Sequence, residues 1–241
     1  GIAGALPLCL VDAGWGRRRL VSLPFATLCD PLFEDAESLA VLLRAAVEEM
    51  GRTGAASLEL RTFQAADQIA APGFGRVDAY VHHEIALDRS EGDLLASFDG
   101  GGGRNRIRKA LKSPLRICEA TTPDDLRRFY GLYVNLRRRR GLPAQSWSFH
   151  EVLWQNLAPG GWMEVLLACL PERVVGGLLL FKYRDRVSAE AIGYDEEQLG
   201  LCPTQFLFWS AICRAKAAGC RRFDFGRTPK VEGSLVTFKD H

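Results

Sequence analysis

The sequence predicts an α/β (α+β) fold made of two tandem units that repeat one order of elements. Two observations support this prediction. A helix with one apolar face, a glycine and a short strand occur in that order twice, and a pair of strands precedes each occurrence. Both short strands, Leu58-Glu59-Leu60 and Phe223-Asp224-Phe225, alternate apolar, acidic and apolar residues. Helix, glycine and strand often follow one another in proteins, so a chance likeness of the two units is the alternative.

The first unit, residues 1–101, is expected to be a partial domain. Its two strands flank a Gly-Trp-Gly-Arg turn, and helix 39–50 follows with its apolar residues on one face. Gly51 and Gly54 are predicted to break that helix. Because the chain begins inside the first strand, we expect this domain to be N-terminally truncated. The predicted strands are 4–10 and 20–24.

The second unit, residues 102–241, is expected to begin with a basic linking helix after a run of glycines. Thr122-Pro123-Asp124-Asp125 predicts a helix start, with a hydroxyl N-cap, a proline in the first turn and an acid three residues after the cap. Strand 163–170 is almost entirely apolar, so we expect both of its faces to be buried. The other predicted elements are a helix at 149–157, strands at 174–183, 186–193 and 221–225, and a helix at 204–218 that Gly219 ends.

Composition narrows the class of protein. The formal net charge of +2 gives no whole-chain case for nucleic acid. The longest apolar run, 174–181, is far shorter than the ~20 residues of a membrane helix. The seven cysteines are odd in number and unpatterned, which favours reduced thiols and a cytoplasmic location.

Segments spread over nearly the whole chain carry a family resemblance. They are Leu6-Pro7-Leu8, Ser22-Leu23-Pro24-Phe25, the basic run 104–110, Phe129-Tyr130 ahead of an arginine run that ends at Gly141-Leu142-Pro143, the helix opening 203–209, Phe223-Asp224-Phe225-Gly226-Arg227, and Phe238-Lys239. Together they resemble the FemAB-like family of peptidoglycan-bridge aminoacyltransferases, which includes relatives in exopolysaccharide systems. The resemblance implies tandem GNAT-like (acyl-CoA N-acyltransferase) domains.

The resemblance also implies an activity. The family transfers an acyl or aminoacyl group to an amine, with aminoacyl-tRNA or acyl-CoA as co-substrate and no tightly bound cofactor. The implied acceptor is an amine of a cell-wall or polysaccharide precursor, with tRNA as a further partner and peripheral contact with a membrane-linked substrate. Two alternatives stay open: an ordinary acetyl-CoA-dependent GNAT N-acetyltransferase, and a non-catalytic GNAT-fold module that binds anions or RNA.

In GNAT folds the donor lies where two central parallel strands separate, which here implies strands 186–193 and 221–225. Gln198 and Gly200 match the phosphate loop of that fold, but Pro203 removes an amide donor and a later glycine is absent, which disfavours acetyl-CoA. The basic helix and the arginine run 137–140 are further candidates for anions, although a solvated helix face is the commoner explanation of a charge run. The predicted donor- or phosphate-binding residues are Arg104, Arg106, Arg108, Lys109, Gln198, Gly200, Thr204 and Arg227.

Two residues are the candidates for catalysis. Lys239 matches a family lysine near the reaction centre, where it would stabilise the developing oxyanion or neutralise the donor's ester-linked ribose. The alternative is an exposed lysine near a frayed end. Asp224 alternates with phenylalanines and is either a general base or a structural partner of backbone N–H groups or Arg227. Tyr194, with Phe238, is a candidate for the substrate pocket, and Glu190 is a weaker candidate of the same kind as Asp224. No metal is predicted, because His82-His83 has no cysteine or carboxylate at ligand spacing.

Overall fold

Each half of the chain contains two parallel strands joined through a helix, in a computed structural model that describes residues 1–12, 14, 17–69, 72–99 and 102–230. The first of two compact units is Gly1–Asp78. Its elements are β1 (Gly4–Ala5), β2 (Cys9–Asp12), β3 (Arg18–Val21), β4 (Leu32–Phe33), α1 (Ala36–Thr53), β5 (Ser57–Glu59) and a 3₁₀ turn (Ala66–Gln68).

Capping residues set both ends of helix α1, Asp35 at the start and Gly54 at the end. The Asp35 carboxylate accepts a hydrogen bond from the Ser38 amide, which satisfies one of the free N–H groups of the first turn. Gly54 ends the helix in the left-handed region with φ 65°, a conformation that glycine adopts without a Cβ penalty. Gly51 stays inside the helix, so the prediction that both glycines break it was wrong for Gly51.

The second unit starts at Ala79 and is built on one mixed sheet. Its strand order is β6-β11-β10-β9-β8-β7, and only β10 and β11 run parallel among the described pairs. The elements are β6 (Tyr80–Ala86), α2 (Glu91–Ser97), α3 (Gly103–Leu111), β7 (Arg116–Glu119), α4 (Pro123–Arg139), α5 (Trp147–Leu157), β8 (Met163–Leu170), β9 (Arg173–Tyr183), β10 (Arg186–Tyr194), a 3₁₀ turn (Glu196–Leu201), α6 (Pro203–Ala217) and β11 (Arg222–Pro229).

The predicted repeat is present in the topology. In the first unit β2 and β3 pair antiparallel, α1 follows, and β5 returns parallel to β3. In the second unit β9 and β10 pair antiparallel, α6 follows, and β11 returns parallel to β10. The two units therefore share the order strand, strand, crossover helix, parallel strand, which confirms the predicted fold class.

The division of the chain differs from the predicted boundary at residue 101. Strand β6 pairs antiparallel with β11, so residues 80–86 are part of the second sheet. The break between the compact units therefore lies after Asp78. The sequence could not show this, because β6 finds its partner near the far end of the chain.

Two apolar cores cover the two faces of the second sheet. On one face α6 packs with α2 and α3 over side chains that include Leu166, Leu178 and Val187. On the other face α4 and α5 pack over Val165 and Leu179. Consecutive residues of β8 enter opposite cores, which confirms that this strand is buried on both faces. None of the helices formed by the described residues combines the length and hydropathy that crossing a bilayer requires.

His150 is an imidazole buried among aromatic rings in the first turn of α5. Its side chain packs against the rings of Tyr130 and Tyr133, with centroids 5.3 and 5.2 Å away. Neither ring nitrogen has a hydrogen-bond partner among the described residues. Burial lowers the pKa of His150 below its ordinary value of 6.5, because the charged form would lose its hydration.

This burial predicts a loss of stability in acid. The unfolded chain takes up a proton at His150 near pH 6.5 and the folded chain resists it, so this residue's stabilisation is complete above that pH and falls below it. We expect the free energy of unfolding to drop with a slope of up to about 1.4 kcal/mol per pH unit from this residue. Urea unfolding between pH 7.5 and 5 would measure the slope, and His150→Phe should reduce it. An unchanged slope in the variant would contradict the assignment.

Candidate active site

The parallel strands β10 and β11 are paired for only part of their length. Their register runs from Arg186 with Arg222 to Ser188 with Asp224. Beyond that pair, β10 continues to Tyr194 beside β9, and Gly226 to Pro229 of β11 pair with β6, among the described residues. We call the pair of Ser188 and Asp224 the fork, and the opening beyond it the cleft.

A bulge in each strand accompanies the fork. The register of β10 against β9 shifts between Ala189 and Ala191, and that of β11 against β6 shifts between Asp224 and Gly226. Bulges bend a strand and increase its twist, so two bulges at one level account for the separation. Gly226 has φ 75°, which a residue with a Cβ would adopt only with strain.

Helix α6 begins beside the C-terminal end of β10. A Cβ added to Gly176, which pairs with Tyr194, would lie 3.3 Å from the Cβ of Pro203. The first helical hydrogen bond runs from the Phe206 amide to the Cys202 carbonyl, so the amides of Thr204 and Gln205 precede it. Such amides give the start of a helix a partial positive charge that attracts anions.

The end of α4 brings arginines to the same end of β10. Arg140 donates to the Tyr194 hydroxyl at 3.1 Å, and Arg139 pairs with Glu196 at 3.0 Å. Arg137 instead donates twice to the Pro143 carbonyl, at 2.9 and 2.7 Å, and so stabilises the end of the helix. Of the arginine run, Arg139 and Arg140 are therefore the two that this geometry places at the end of β10.

A group of polar side chains lies on the sheet face opposite α6. Val187, Phe223 and Ile85 enter the core beneath α6, so their neighbours along each strand point the other way. We call this group the polar cluster. Its members are His82, Glu84, Arg186, Ser188, Glu190 and Asp224.

Asp224 is the central carboxylate of the polar cluster. One oxygen accepts a hydrogen bond from the Gly226 amide at 2.6 Å and lies 3.4 Å from Nε2 of His82. The other lies 3.9 Å from a guanidinium nitrogen of Arg186. The side chains of Asp224 and His82 are only 8% and 5% exposed, so water screens this contact weakly.

Glu84 and Glu190 complete the cluster on either side. Glu84 pairs with Arg186 and with Arg222, the latter at 2.9 Å. Ser188 donates to Glu190 at 2.6 Å. Burial and then the charge of Asp224 raise the pKa of Glu190, against the lowering effect of the Ser188 hydrogen bond. Glu190 therefore keeps its proton to a higher pH than an exposed glutamate.

Comparison with known proteins identifies the fold family. A family model described as "Acetyltransferase (GNAT) domain" matches residues 102–239. The chain belongs to this GNAT family. It is accordingly an acyltransferase of the GNAT type. A search of the curated proteins finds no match to the sequence.

Solved structures show the same fold over more of the chain. FemX matches with a TM-score of 0.74 and 15% identity, over 98% of this chain and 81% of FemX. The C-terminal domain of a putative lysylphosphatidylglycerol synthetase from Agrobacterium fabrum matches with a TM-score of 0.62 and 14% identity, over 96% of this chain and 70% of that one. L-PGS from Bacillus licheniformis matches with a TM-score of 0.61 and 14% identity, over 92% and 65%. The likeness to FemX confirms, for the fold, the FemAB-like resemblance.

The predicted donor residues of this GNAT chain fall in different places. Gln198 and Gly200 lie in the turn before α6, half-buried and exposed, and Thr204 lies in the first turn of α6. Arg227 lies on β11 beyond the fork, with its guanidinium 4.2 Å from the ring centroid of Tyr80. These four residues all belong to segments that border or follow the cleft.

The basic helix α3 packs on the core with one face and presents its charged residues on the others. Ile107 and Ala110 are buried against the core beneath α6, so the charged residues project from its other sides. Arg104 donates to the Ala96 carbonyl at 3.3 Å, a contact within the fold. Arg106, Arg108 and Lys109 are exposed. Within the part of the chain that the structure describes, no contact joins these three side chains to the cleft, and their binding role stays a prediction.

The predicted catalytic and substrate-pocket residues also lie in different places. Asp224 faces away from the phenylalanines as predicted, but its guanidinium partner in the structure is Arg186, whereas Arg227 stacks on Tyr80. Tyr194 accepts the hydrogen bond from Arg140 at the end of β10. Phe238 and Lys239 lie outside the described residues.

Sequence reasoning missed the part that β6 plays. The sequence-based prediction found no carboxylate at ligand spacing from His82, yet Glu84 is two residues away and pairing of β6 with β11 adds Asp224, so that ligand atoms of all three lie within 4.8 Å of one another. Both carboxylates already pair with arginines, and a cation would have to displace them, so we assign no metal here. The alternation of His82 with Glu84 along one strand is the signal that could have shown a shared face.

Proposed function

We propose that this acyltransferase moves an acyl or aminoacyl group from an anionic carrier, aminoacyl-tRNA or acyl-CoA, to an amine of a cell-envelope or polysaccharide precursor in the cytoplasm. The observation that carries the proposal is the fork with α6 beginning beside it. In a GNAT fold this opening receives the donor, because the separated strands leave backbone groups and a helix start for it. Lys239 would stabilise the oxyanion, as the family resemblance implies.

The charges around the cleft suit an anionic donor. The helix start offers the amides of Thr204 and Gln205, and Arg139 and Arg140 lie at the same end of β10. Arginine forms two parallel hydrogen bonds to a phosphate, which gives both affinity and orientation. Pro203 at the first helical position supplies no N–H group. Arg139 and Arg140 would therefore make more of the phosphate contacts than arginines do beside an ordinary GNAT phosphate loop.

A buried hydroxyl beyond the fork adds a candidate donor contact. Thr228 on β11 is 1% exposed, and its hydroxyl has no hydrogen-bond partner among the described residues. An unsatisfied buried hydroxyl costs about 1–3 kcal/mol, so such a group is retained more readily where a ligand satisfies it. We assign this hydroxyl to the donor's carbonyl or amide groups.

The similar structures favour an aminoacyl group over a simple acetyl group. One of them is named a putative lysylphosphatidylglycerol synthetase, a name that denotes an aminoacylated phospholipid. A lipid-linked acceptor would need peripheral contact with a membrane, and a nucleotide-linked acceptor would not. The proposed acceptor is therefore tested in both forms.

The direct test is transfer by the full chain. Radiolabelled aminoacyl-tRNAs and acyl-CoAs are offered in turn, with a nucleotide-linked and a lipid-linked muropeptide and an amino-sugar oligosaccharide as amine acceptors. We expect one donor class to yield an amide product that resists mild alkali. Absence of product with every pair would contradict the proposal. Tight RNA binding that falls steeply with salt, without any product, would then favour a binding module.

Removal of the two arginines near Tyr194 should weaken donor binding. We expect Arg139→Gln with Arg140→Gln to raise the KM for the donor about tenfold, a change of about 1.4 kcal/mol, and to leave kcat nearly unchanged. Steady-state kinetics at two salt concentrations would measure the change. The control is Arg138→Gln, which removes an exposed charge between Arg137 and Arg139. Equal effects of the control and the double variant would contradict a specific site.

A further inference from the structure

We propose that Cys118 and Cys169 are a redox-responsive thiol pair, and that a reversible disulfide between them links the edge strand β7 to β8. The inference does not rest on the proposed function. The pair lies on the far side of β9 from the fork, because the strand order is β10, β9, β8 and β7. The register of the two strands and the contact of the two side chains carry it.

The two cysteines lie on the same face of neighbouring antiparallel strands. Cys118 of β7 pairs with Leu167 of β8, and Cys169 is two residues further along β8. Leu167 and Cys169 both pack in the core that α4 and α5 cover. Because paired residues of neighbouring strands share a face, Cys118 points to that side as well. Cys118 and Cys169 are therefore diagonal neighbours.

The two thiols are in contact. A side-chain hydrogen bond joins Cys169 to Cys118, which identifies this diagonal as a close one. Burial first, and then the hydrogen bond and charge of Cys118, raise the pKa of Cys169 to about 12. Cys118 is exposed and Cys169 is half-buried, so an oxidant in solution reaches Cys118 first.

Closing the disulfide requires a small shift of β7. Disulfide-linked residues have Cα atoms about 4.4–6.8 Å apart, and diagonal neighbours in a sheet are about 7–8 Å apart, so a shift on the order of 1 Å brings the pair into range. Strand β7 has four residues and lies at the edge of the sheet, where β8 is its one partner among the described strands. It can therefore move without breaking a second ladder of hydrogen bonds.

The proposed chemistry is thiol–disulfide exchange, with the disulfide of a small cellular thiol as the oxidant. The Cys118 thiolate attacks that disulfide, its sulfur–sulfur bond breaks, and one small thiolate leaves. The Cys169 thiolate then attacks the Cys118 sulfur and displaces the second small thiolate. The two cysteines lose two protons and two electrons, and the small disulfide gains both and becomes two thiols. Cys118 in the mixed disulfide carries no charge, so one cause of the raised pKa of Cys169 is removed before its thiolate is needed.

A link at this position fixes the start of α4. Strand β7 ends at Glu119, and Thr122 caps α4 three residues later. The loop that the disulfide closes, 118–169, contains all of α4 and α5. Exposed or strained disulfides are the easily reduced kind, and in a reducing compartment such disulfides are transient and respond to the redox state. The proposed link is therefore regulatory rather than a permanent part of the fold.

The chemical test equilibrates the full chain with increasing ratios of oxidised to reduced glutathione. We expect the intact mass to fall by two hydrogens and peptide mapping to show one linked pair, Cys118 with Cys169, which dithiothreitol reverses. Cys118→Ser and Cys169→Ser should each abolish the linked pair. The control is Cys213→Ser on α6, which should keep it. A link between any other two cysteines, or glutathione on Cys118 without a link to Cys169, would overturn the proposal.

Thermal unfolding supplies a second measurement. We expect the oxidised chain to unfold at least about 4 °C above the reduced chain, because the link restricts the unfolded chain. Cys118→Ser changes an exposed residue, so this variant should fold and should unfold at one temperature under both conditions. If the linked wild-type chain unfolded no higher than the reduced chain, the disulfide would not hold β7 and α4 in place, and the regulatory role would be wrong.

Discussion

Gly193→Ala is expected to destabilise the second unit by at least about 3 kcal/mol. Gly193 lies on β10 where the backbone of α4 crosses it. An added Cβ would lie 2.6 Å from the carbonyl carbon of Leu132 and 2.8 Å from the Cα of Tyr133, and still closer to the Tyr133 amide nitrogen. These atoms are backbone and cannot rotate away, so the helix would have to move off the sheet.

The measurement is chemical unfolding followed by circular dichroism. The control is Gly131→Ala in the same helix, where an added Cβ meets no atom within 4 Å. Because glycine is a poor helix former, this control should stabilise the chain by about 0.5–1 kcal/mol. If Gly193→Ala lowers the free energy of unfolding and Gly131→Ala raises it, the loss comes from the close approach of α4 to Gly193. A loss below about 1 kcal/mol in Gly193→Ala would mean that α4 does not pack on β10 in this way.

The sequence predicted the elements whose signals are local. Thr122 caps α4 and forms the full capping box with Asp125, and Gly54 and Gly219 both adopt the left-handed conformation after their helices. The β9–β10 hairpin and the apolar strand β8 also lie within a residue or so of their predicted bounds. In each case the residues that determine the element are neighbours along the chain, so their order alone carries the information.

Long-range pairing explains what the sequence did not predict. Nothing in residues 80–86 indicates that their partner is β11, and so neither the boundary at Asp78 nor the contact of His82 with Asp224 could be predicted. The direction of the Asp224 side chain followed from alternation, but its partners did not. The sequence also does not indicate the close approach of α4 to Gly193, because glycine occurs at strand ends for several different structural reasons.

Arg186→Met is the second change with a large expected effect, a loss of roughly 2–3 kcal/mol in the free energy of unfolding. Arg186 contacts both Glu84 and Asp224, whose side chains are 22% and 8% exposed. Removing it leaves two carboxylates close together with less compensating charge. A fully buried pair would cost more, but Arg186 is 34% exposed and solvent screens part of the loss.

A double-mutant cycle separates this charge effect from lost packing. Arg186→Met with Glu84→Gln should recover at least about 1 kcal/mol, because the second change removes one of the uncompensated charges. The control is Arg221→Met, which breaks the ion pair of Arg221 with Asp185. The Arg221 side chain is 81% exposed, so this change should lower the free energy of unfolding by less than about 0.5 kcal/mol. If the two arginine variants lost equal stability, the polar cluster would be no more than a surface network. If only Arg186→Met were costly and Glu84→Gln reduced the cost, Arg186 would be the residue that stabilises two carboxylates close together beside the fork.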